Sequence, residues 1–294
     1  MSFPLTPFSA DGSAIRPEAF RSHVRRQIDA GAAALFACCG TGEFFSLTED
    51  EYLALVSIAV EEASGAVPVI SGTGYGWANA ARFAQRATEA GADALLVMPH
   101  YLVRAPQAGL VDHIRRLAEH TELPLVVYQR EQVSYSTASL VELGGVPNVI
   151  GLKDGHSDLD QLQRFRLVMP ESFLMFNGAQ TAELQARQYA SIGIPAYSSA
   201  VHCFAPEIAS NFFLALRDND VERIELLLRE FYVPFVELRE RQAGYAVALV
   251  KAGARLRGEY MGPVRAPLTD PNDSDLADLK ALLRSGLSLV GAEL

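Results

Sequence analysis

At 294 residues, 49% apolar and 20% charged, the chain is long enough for one large barrel-sized domain and too apolar for a disordered segment. A net charge of -10 without any Lys/Arg-rich run argues against a nucleic-acid-binding surface, although a local cluster of donors could still hold an anionic substrate. The three cysteines (Cys38, Cys39, Cys203) make no disulfide framework, and no apolar run approaches the ~20 residues of a membrane span, so without a signal-like start a cytoplasmic protein is expected.

The chain opens on the apolar run Phe3–Phe8, which reads as a strand. Pro17 near a first turn and Gly31 past a last turn bracket a helix over Arg16–Ala30. Ala34–Cys39 is the next strand-like run, with Cys38 and Cys39 as core residues. Thr48 and Glu51 then have capping-box spacing ahead of a helix over Tyr52–Glu62. Val67–Ile70 predicts a strand, Ala78–Ala90 a helix closed by Gly91, and Ala94–Met98 a strand. Leu123–Val127, Val149–Leu152 and Phe173–Phe176 follow as strands, then a helix over Ala179–Ile192 closed by Gly193, then a strand over Ile194–Tyr197.

Apolar runs without polar alternation belong to strands buried on both faces. Their recurrence every ~22–32 residues, with helices between, is what parallel β-α units require. No Gly-x-Gly-x-x-Gly follows the first strand, which weakens a doubly wound dinucleotide-binding alternative. The expected class is α/β, a (β/α)8 TIM barrel over residues 1–205. A small C-terminal helical extension over residues 206–294 completes it, with helices at Glu207–Arg217, Val221–Arg239 (interrupted by Pro234), Ala243–Arg257 and Ser274–Arg284.

Barrels of this kind place their active sites at the C-terminal ends of the strands. The residues after each run are Thr6, Gly40-Thr41-Gly42-Glu43, Ser71 and Thr73, His100-Tyr101, Tyr128-Gln129-Arg130, Lys153-Asp154, Asn177-Gly178 and Ser198-Ser199. Lys153 is conspicuous because the chain has only two other lysines, Lys251 and Lys280, beside 22 arginines. An amine at the end of a buried strand is desolvated, which favours its neutral, nucleophilic form. The competing reading pairs Lys153 with Asp154 or another carboxylate. Tyr128 is placed either to shuttle protons or simply to pack and donate one hydrogen bond. The Gly40-Thr41-Gly42 amides suit a carboxylate, or form a plain β-α turn. Gly72–Gly76 lacks a phosphate-loop lysine and is read as a turn. The six histidines and three cysteines have no metal-ligand spacing, so no metal and no cofactor is expected. No nucleophile-elbow motif is present.

Gly40-Thr41-Gly42-Glu43, the strand-end Tyr128 and Gly151-Leu152-Lys153-Asp154 resemble the dihydrodipicolinate synthase/N-acetylneuraminate lyase superfamily of class I aldolase-type barrels, over nearly the whole chain. Ser2–Phe8, Gly40–Leu47 and Gly262-Pro263-Val264-Arg265 carry a closer similarity to that superfamily's decarboxylating dehydratases of deoxy-keto sugar diacids. The resemblance implies a Schiff base on Lys153, a proton shuttle at Tyr128, and carboxylate binding by Thr41 with the Gly40 and Thr41 amides. It implies that Tyr101 reaches across a tight dimer, and that Gly178 and Ser198 touch the rest of the substrate. Arg130 or Ser198–Ser199 would hold the distal carboxylate of a keto-diacid, and the assembly would be a homotetramer of dimers.

Two departures qualify the pattern: Gly40 replaces a first threonine of the synthases, and Val133 occupies the position of their substrate arginine. From the resemblance, the chain is expected to begin within its first strand, ahead of which relatives carry a short segment. A pyruvate-dependent aldolase or synthase of the same superfamily is the alternative activity. A barrel that binds a sugar acid without turnover is the other.

Overall fold

In a computed structural model describing residues 1–294, the apolar runs form six parallel strands paired in chain order. They are β1 (Leu35–Ala37), β2 (Val69–Thr73), β3 (Ala94–Val97), β4 (Leu125–Gln129), β5 (Val149–Asp154) and β6 (Leu174–Asn177). Helices α1 (Pro17–Asp29), α2 (Glu49–Ala63), α3 (Trp77–Ala90), α4 (Gln107–Ala118), α5 (Thr137–Gly144), α6 (Leu159–Val168) and α7 (Ala186–Ser191) lie along this α/β unit. Pro17 does open α1, the Thr48–Glu51 capping box starts α2, and Gly91 in the left-handed region ends α3.

Because successive strand residues face opposite sides, the sheet sorts its side chains into two cores. Leu35, Val69, Leu95, Val97, Leu125, Val127 and Leu152 pack outward against the helices in one large cluster. Phe36, Ile70, Leu96, Val126, Tyr128 and Phe176 turn inward with Phe3 to fill the space the curled sheet encloses.

Two expected strands are reduced to isolated bridges at or beside them. Ser2 pairs in parallel with both Leu35 and Ser199, and Asn177 pairs with Tyr197. Pro4, Pro7 and Pro195 lack the N–H a ladder needs, so Phe3–Phe8 and Ile194–Tyr197 stay irregular. Pro68 likewise delays β2 to Val69, and the strand then runs on to Thr73. Cys38 and Cys39 are buried core residues, but they lie beyond β1, with Cys38 in the left-handed region at φ 50°. The expected helix over Ala179–Ile192 begins as a 3-10 turn at Ala182–Gln185 and becomes α7 only at Ala186.

The remaining helices are α8 (Pro206–Arg217), α9 (Val221–Leu227), α10 (Val233–Glu240), α11 (Tyr245–Leu256) and α12 (Asp273–Leu289). They share one apolar cluster with Leu5, Tyr197 and Phe204, so this region is fused to the sheet. Pro234 does not break the chain's helical path. A π-helical turn at Leu228–Tyr232 precedes it and absorbs its missing N–H. No helix is long and apolar enough to cross a membrane.

Candidate active site

A cavity of about 540 Å³ lies at the C-terminal ends of the strands. Gly40, Thr41, Tyr101, Tyr128, Arg130, Lys153, Gly178 and Ser198 all line it, together with Phe3, Phe44 and Met98. They come from the ends of several neighbouring strands, which parallel pairing brings to one side of the sheet.

The register of β4 with β5 sets Tyr128 beside Lys153 and Gln129 beside Asp154. The pleat then separates the two residues of each strand. Lys153 and Tyr128 face inward, while Asp154 and Gln129 face the helices. Asp154 is buried and saturated with donors: Gln129 Nε2 at 2.6 Å, the Ser157 amide at 2.9 Å, the His156 amide at 3.3 Å and the Tyr189 hydroxyl. It therefore cannot serve as counter-ion to Lys153, and the pairing weighed from the sequence is not found.

Lys153 is 7% exposed, and its Nζ sits 4.1 Å from the Phe3 ring centroid and 4.5 Å from that of Tyr128. Burial pushes its pKa down from the ordinary 10.5, and the Arg130 cation adds to the effect, while Tyr128 and Cys39 oppose it. The Tyr128 hydroxyl donates to the Gly178 carbonyl at 3.2 Å and accepts from Arg130 Nη1 at 3.2 Å. A Cβ at position 178 would stand 2.5 Å from Lys153 Cγ, so the lysine fits beside glycine alone.

Across the cavity, Gly40–Glu43 is a turn closed by the Glu43 N–H on the Gly40 carbonyl at 3.1 Å. The Gly40 and Thr41 amides take no protein acceptor and are free for a ligand carboxylate. Thr6 Oγ1 donates to the Gly42 carbonyl at 2.6 Å. Ser198 donates to the Asn177 carbonyl at 3.3 Å while remaining on the cavity wall. Tyr101 stands at the mouth, 74% exposed, next to exposed Leu102 and Val103.

Ser71, Thr73 and Ser199 are among the strand-end residues that do not line the cavity. Ser199 points away from the cavity and donates to buried Glu183, because it alternates with Ser198. Ser71 accepts from Tyr52 at 2.8 Å and Thr73 donates to the Ala80 carbonyl at 2.7 Å, both on the outer face of β2. Conversely, Gly244, Ala246 and Val247 at the start of α11, with Leu268, form part of the wall. Nothing in the local sequence signals that contribution. His, Cys, Asp and Glu side chains form no group of three or more placed to hold a metal.

The sequence matches the dihydrodipicolinate synthetase family over residues 1–285. It is 65% identical over 294 residues to a Streptomyces avermitilis protein named as a probable 5-dehydro-4-deoxyglucarate dehydratase, covering 100% of this chain and 88% of that one. A Pseudomonas putida 5-dehydro-4-deoxyglucarate dehydratase is 40% identical over 285 residues, with 97% and 94% of the two chains covered. Among solved structures, dihydrodipicolinate synthase from Bacillus clausii superposes with a TM-score of 0.87 at 28% identity, over 96% of this chain and 95% of that one. With its fold, its strand-end lysine and its sequence in agreement, the chain belongs to the dihydrodipicolinate synthetase family.

Proposed function

We infer that the protein is a lyase, a decarboxylating dehydratase that converts 5-dehydro-4-deoxy-D-glucarate to 2,5-dioxopentanoate, CO2 and water through an imine on Lys153. The observation that carries the chemistry is Lys153 itself: a buried amine with no acid beside it, set against the Tyr128 phenol and the Phe3 ring in the cavity. Full-length identity to proteins named for this dehydratase selects the reaction.

Lys153 attacks the C5 ketone, and Tyr128 passes the protons that let water leave. Thr41 and the free Gly40 and Thr41 amides hold the adjoining carboxylate, and Arg130 holds the distal one. The iminium draws electrons from C4, which loses a proton, and the C3 hydroxyl is expelled as water. The conjugated iminium then accepts the C1–C2 bonding pair as C1 departs as CO2. Reprotonation, tautomerisation and hydrolysis release the product and restore Lys153.

Borohydride added with the keto-diacid is expected to fix the substrate-derived adduct on Lys153, and Lys153→Ala to abolish CO2 release, with EDTA without effect. Turnover surviving in Lys153→Ala refutes the imine, and pyruvate as product in place of CO2 makes the enzyme an aldolase.

The same reading takes the six strands plus the segments bridged at Ser2 and Tyr197–Ser199 as an eight-stranded barrel over residues 1–205, completed by residues 206–294. It makes the assembly a cytoplasmic homotetramer of tight dimers, with Tyr101 entering the neighbouring site. The exposed apolar tip Tyr101-Leu102-Val103 at the cavity mouth supports this. Light scattering should give four chain masses, and a monomer at micromolar concentration refutes it.

A further inference from the structure

Lys251, on α11, is a second buried lysine and takes no part in the chemistry above. Its Nζ lies 2.8 Å from Glu43 Oε1, and both side chains are fully buried. Neither residue lines the cavity. The other Glu43 oxygen accepts the Arg265 backbone N–H at 2.9 Å. Arg265 is itself bound to the Ser46 carbonyl and to the Glu51 carboxylate, and lies over the Phe8 ring, against which Lys251 Nζ also sits 4.0 Å from the centroid.

Glu43 holds a left-handed backbone at φ 58°, a conformation that a residue with a side chain keeps only where its surroundings impose it. The imposition is visible. The carboxylate is clamped at both oxygens, and the Glu43 N–H closes the turn of Gly40 and Thr41, which line the cavity and whose amides take no protein acceptor. A buried ion pair is a poor way to gain stability, since well-packed apolar residues serve as well. It is a good way to fix a position, because each charge tolerates only one place.

We propose that the Glu43–Lys251 pair is a positioning strut that sets the Gly40–Thr41 amides at the height of the carboxylate beside the reacting ketone, making this enzyme prefer 2-keto acids over simple carbonyl compounds. The proposal rests on the Lys153 imine reading and deepens it. Lys251 and Glu43 are positioning residues, acting through the turn.

The test is borohydride trapping on Lys153, read by intact mass, with pyruvate as a 2-keto acid and propanal as a carbonyl lacking the carboxylate. In the double variant Glu43→Gln/Lys251→Met, which leaves no buried charge unpaired, the pyruvate-to-propanal rate ratio falls by about tenfold or more. KM for the keto-diacid rises by more than kcat falls. A ratio unchanged in a variant that melts cooperatively overturns the strut while leaving the imine intact. Absence of trapping with the keto-diacid in the unaltered enzyme overturns the imine reading and the strut with it, whereas a keto-diacid adduct without any pyruvate preference over propanal overturns the strut alone. Where the double variant does not fold, Glu43→Asp keeps both charges and shortens the strut by one methylene. Its ratio should fall in the same direction, and an unchanged ratio again overturns the proposal.

Discussion

Replacing Lys153 by Met should abolish turnover and raise stability at neutral pH. The side chain is 7% exposed, has no ion-pair partner, and recovers only ring contacts with Phe3 and Tyr128, of the kind that contribute about 0.5–2 kcal/mol each. Met has similar length and no charge, so it fills the same space without the desolvation cost. Each unit by which burial depresses the amine costs the charged form about 1.4 kcal/mol. A net gain of about 1–2 kcal/mol is expected, the range of other site-relieving substitutions. For chains above 150 residues that raises Tm by about 2–4 °C per kcal/mol.

The pH dependence carries a definite sign. Burial lowers the folded-state pKa below the ordinary 10.5, so between the two values the folded chain binds fewer protons than the unfolded one. Stability of the unaltered enzyme therefore climbs with pH across that window. The penalty is complete below the depressed folded value and gone above 10.5. The Met variant lacks this term, so its advantage in calorimetric melts should be largest near neutrality and shrink toward pH 10. A variant that melts lower at pH 7, or an advantage that does not change with pH, would show that Lys153 is not held under desolvation stress.

Two further substitutions probe the neighbours of the amine. Tyr128→Phe removes the hydroxyl that bridges Arg130 and the Gly178 carbonyl, and should cut CO2 release by about 10²–10⁴-fold while still allowing slow borohydride trapping; near-normal turnover would remove Tyr128 from the proton path. Gly178→Ala forces a methyl to within 2.5 Å of Lys153 Cγ, so turnover should drop by about 10²-fold or more through misplacement of the amine. Overpacking should also lower stability by about 1–3 kcal/mol, and unimpaired kinetics would mean that the lysine has slack the structure does not show.

What could be read in the sequence was set by how local its cause is. Lys153 was legible because a single lysine after Val149–Leu152 has one strand and one alternation to obey. The capping box at Thr48 and the left-handed Gly91 were legible for the same reason. Ser71 and Thr73 were misplaced because β2 continues past Ile70, which turns both outward. Ser199 was misplaced because it alternates with Ser198, and the prolines reduced two expected strands to bridges. The Glu43–Lys251 contact joins residues 208 apart in sequence. No spacing rule links a glutamate in a turn to a lysine on a late helix, and the same distance hid the contribution of α11 to the cavity wall.

The alternation within β5 also explains why the site can hold a bare amine next to an acid in sequence. Lys153 and Asp154 are consecutive, yet the pleat sends one into the enclosed space and the other among Gln129, Tyr189 and the amides of His156 and Ser157. Every donor Asp154 accepts is one it no longer needs from Lys153. The same register that brings Gln129 to Asp154 brings Tyr128 to Lys153, so the outward pair supplies the acid with a donor while the inward pair sets the phenol beside the amine. A strand shifted by one residue would exchange the two faces and bury a carboxylate where the proposed reaction needs a nucleophile. On the proposed imine chemistry, catalysis depends on pairing register as directly as on the identity of the lysine.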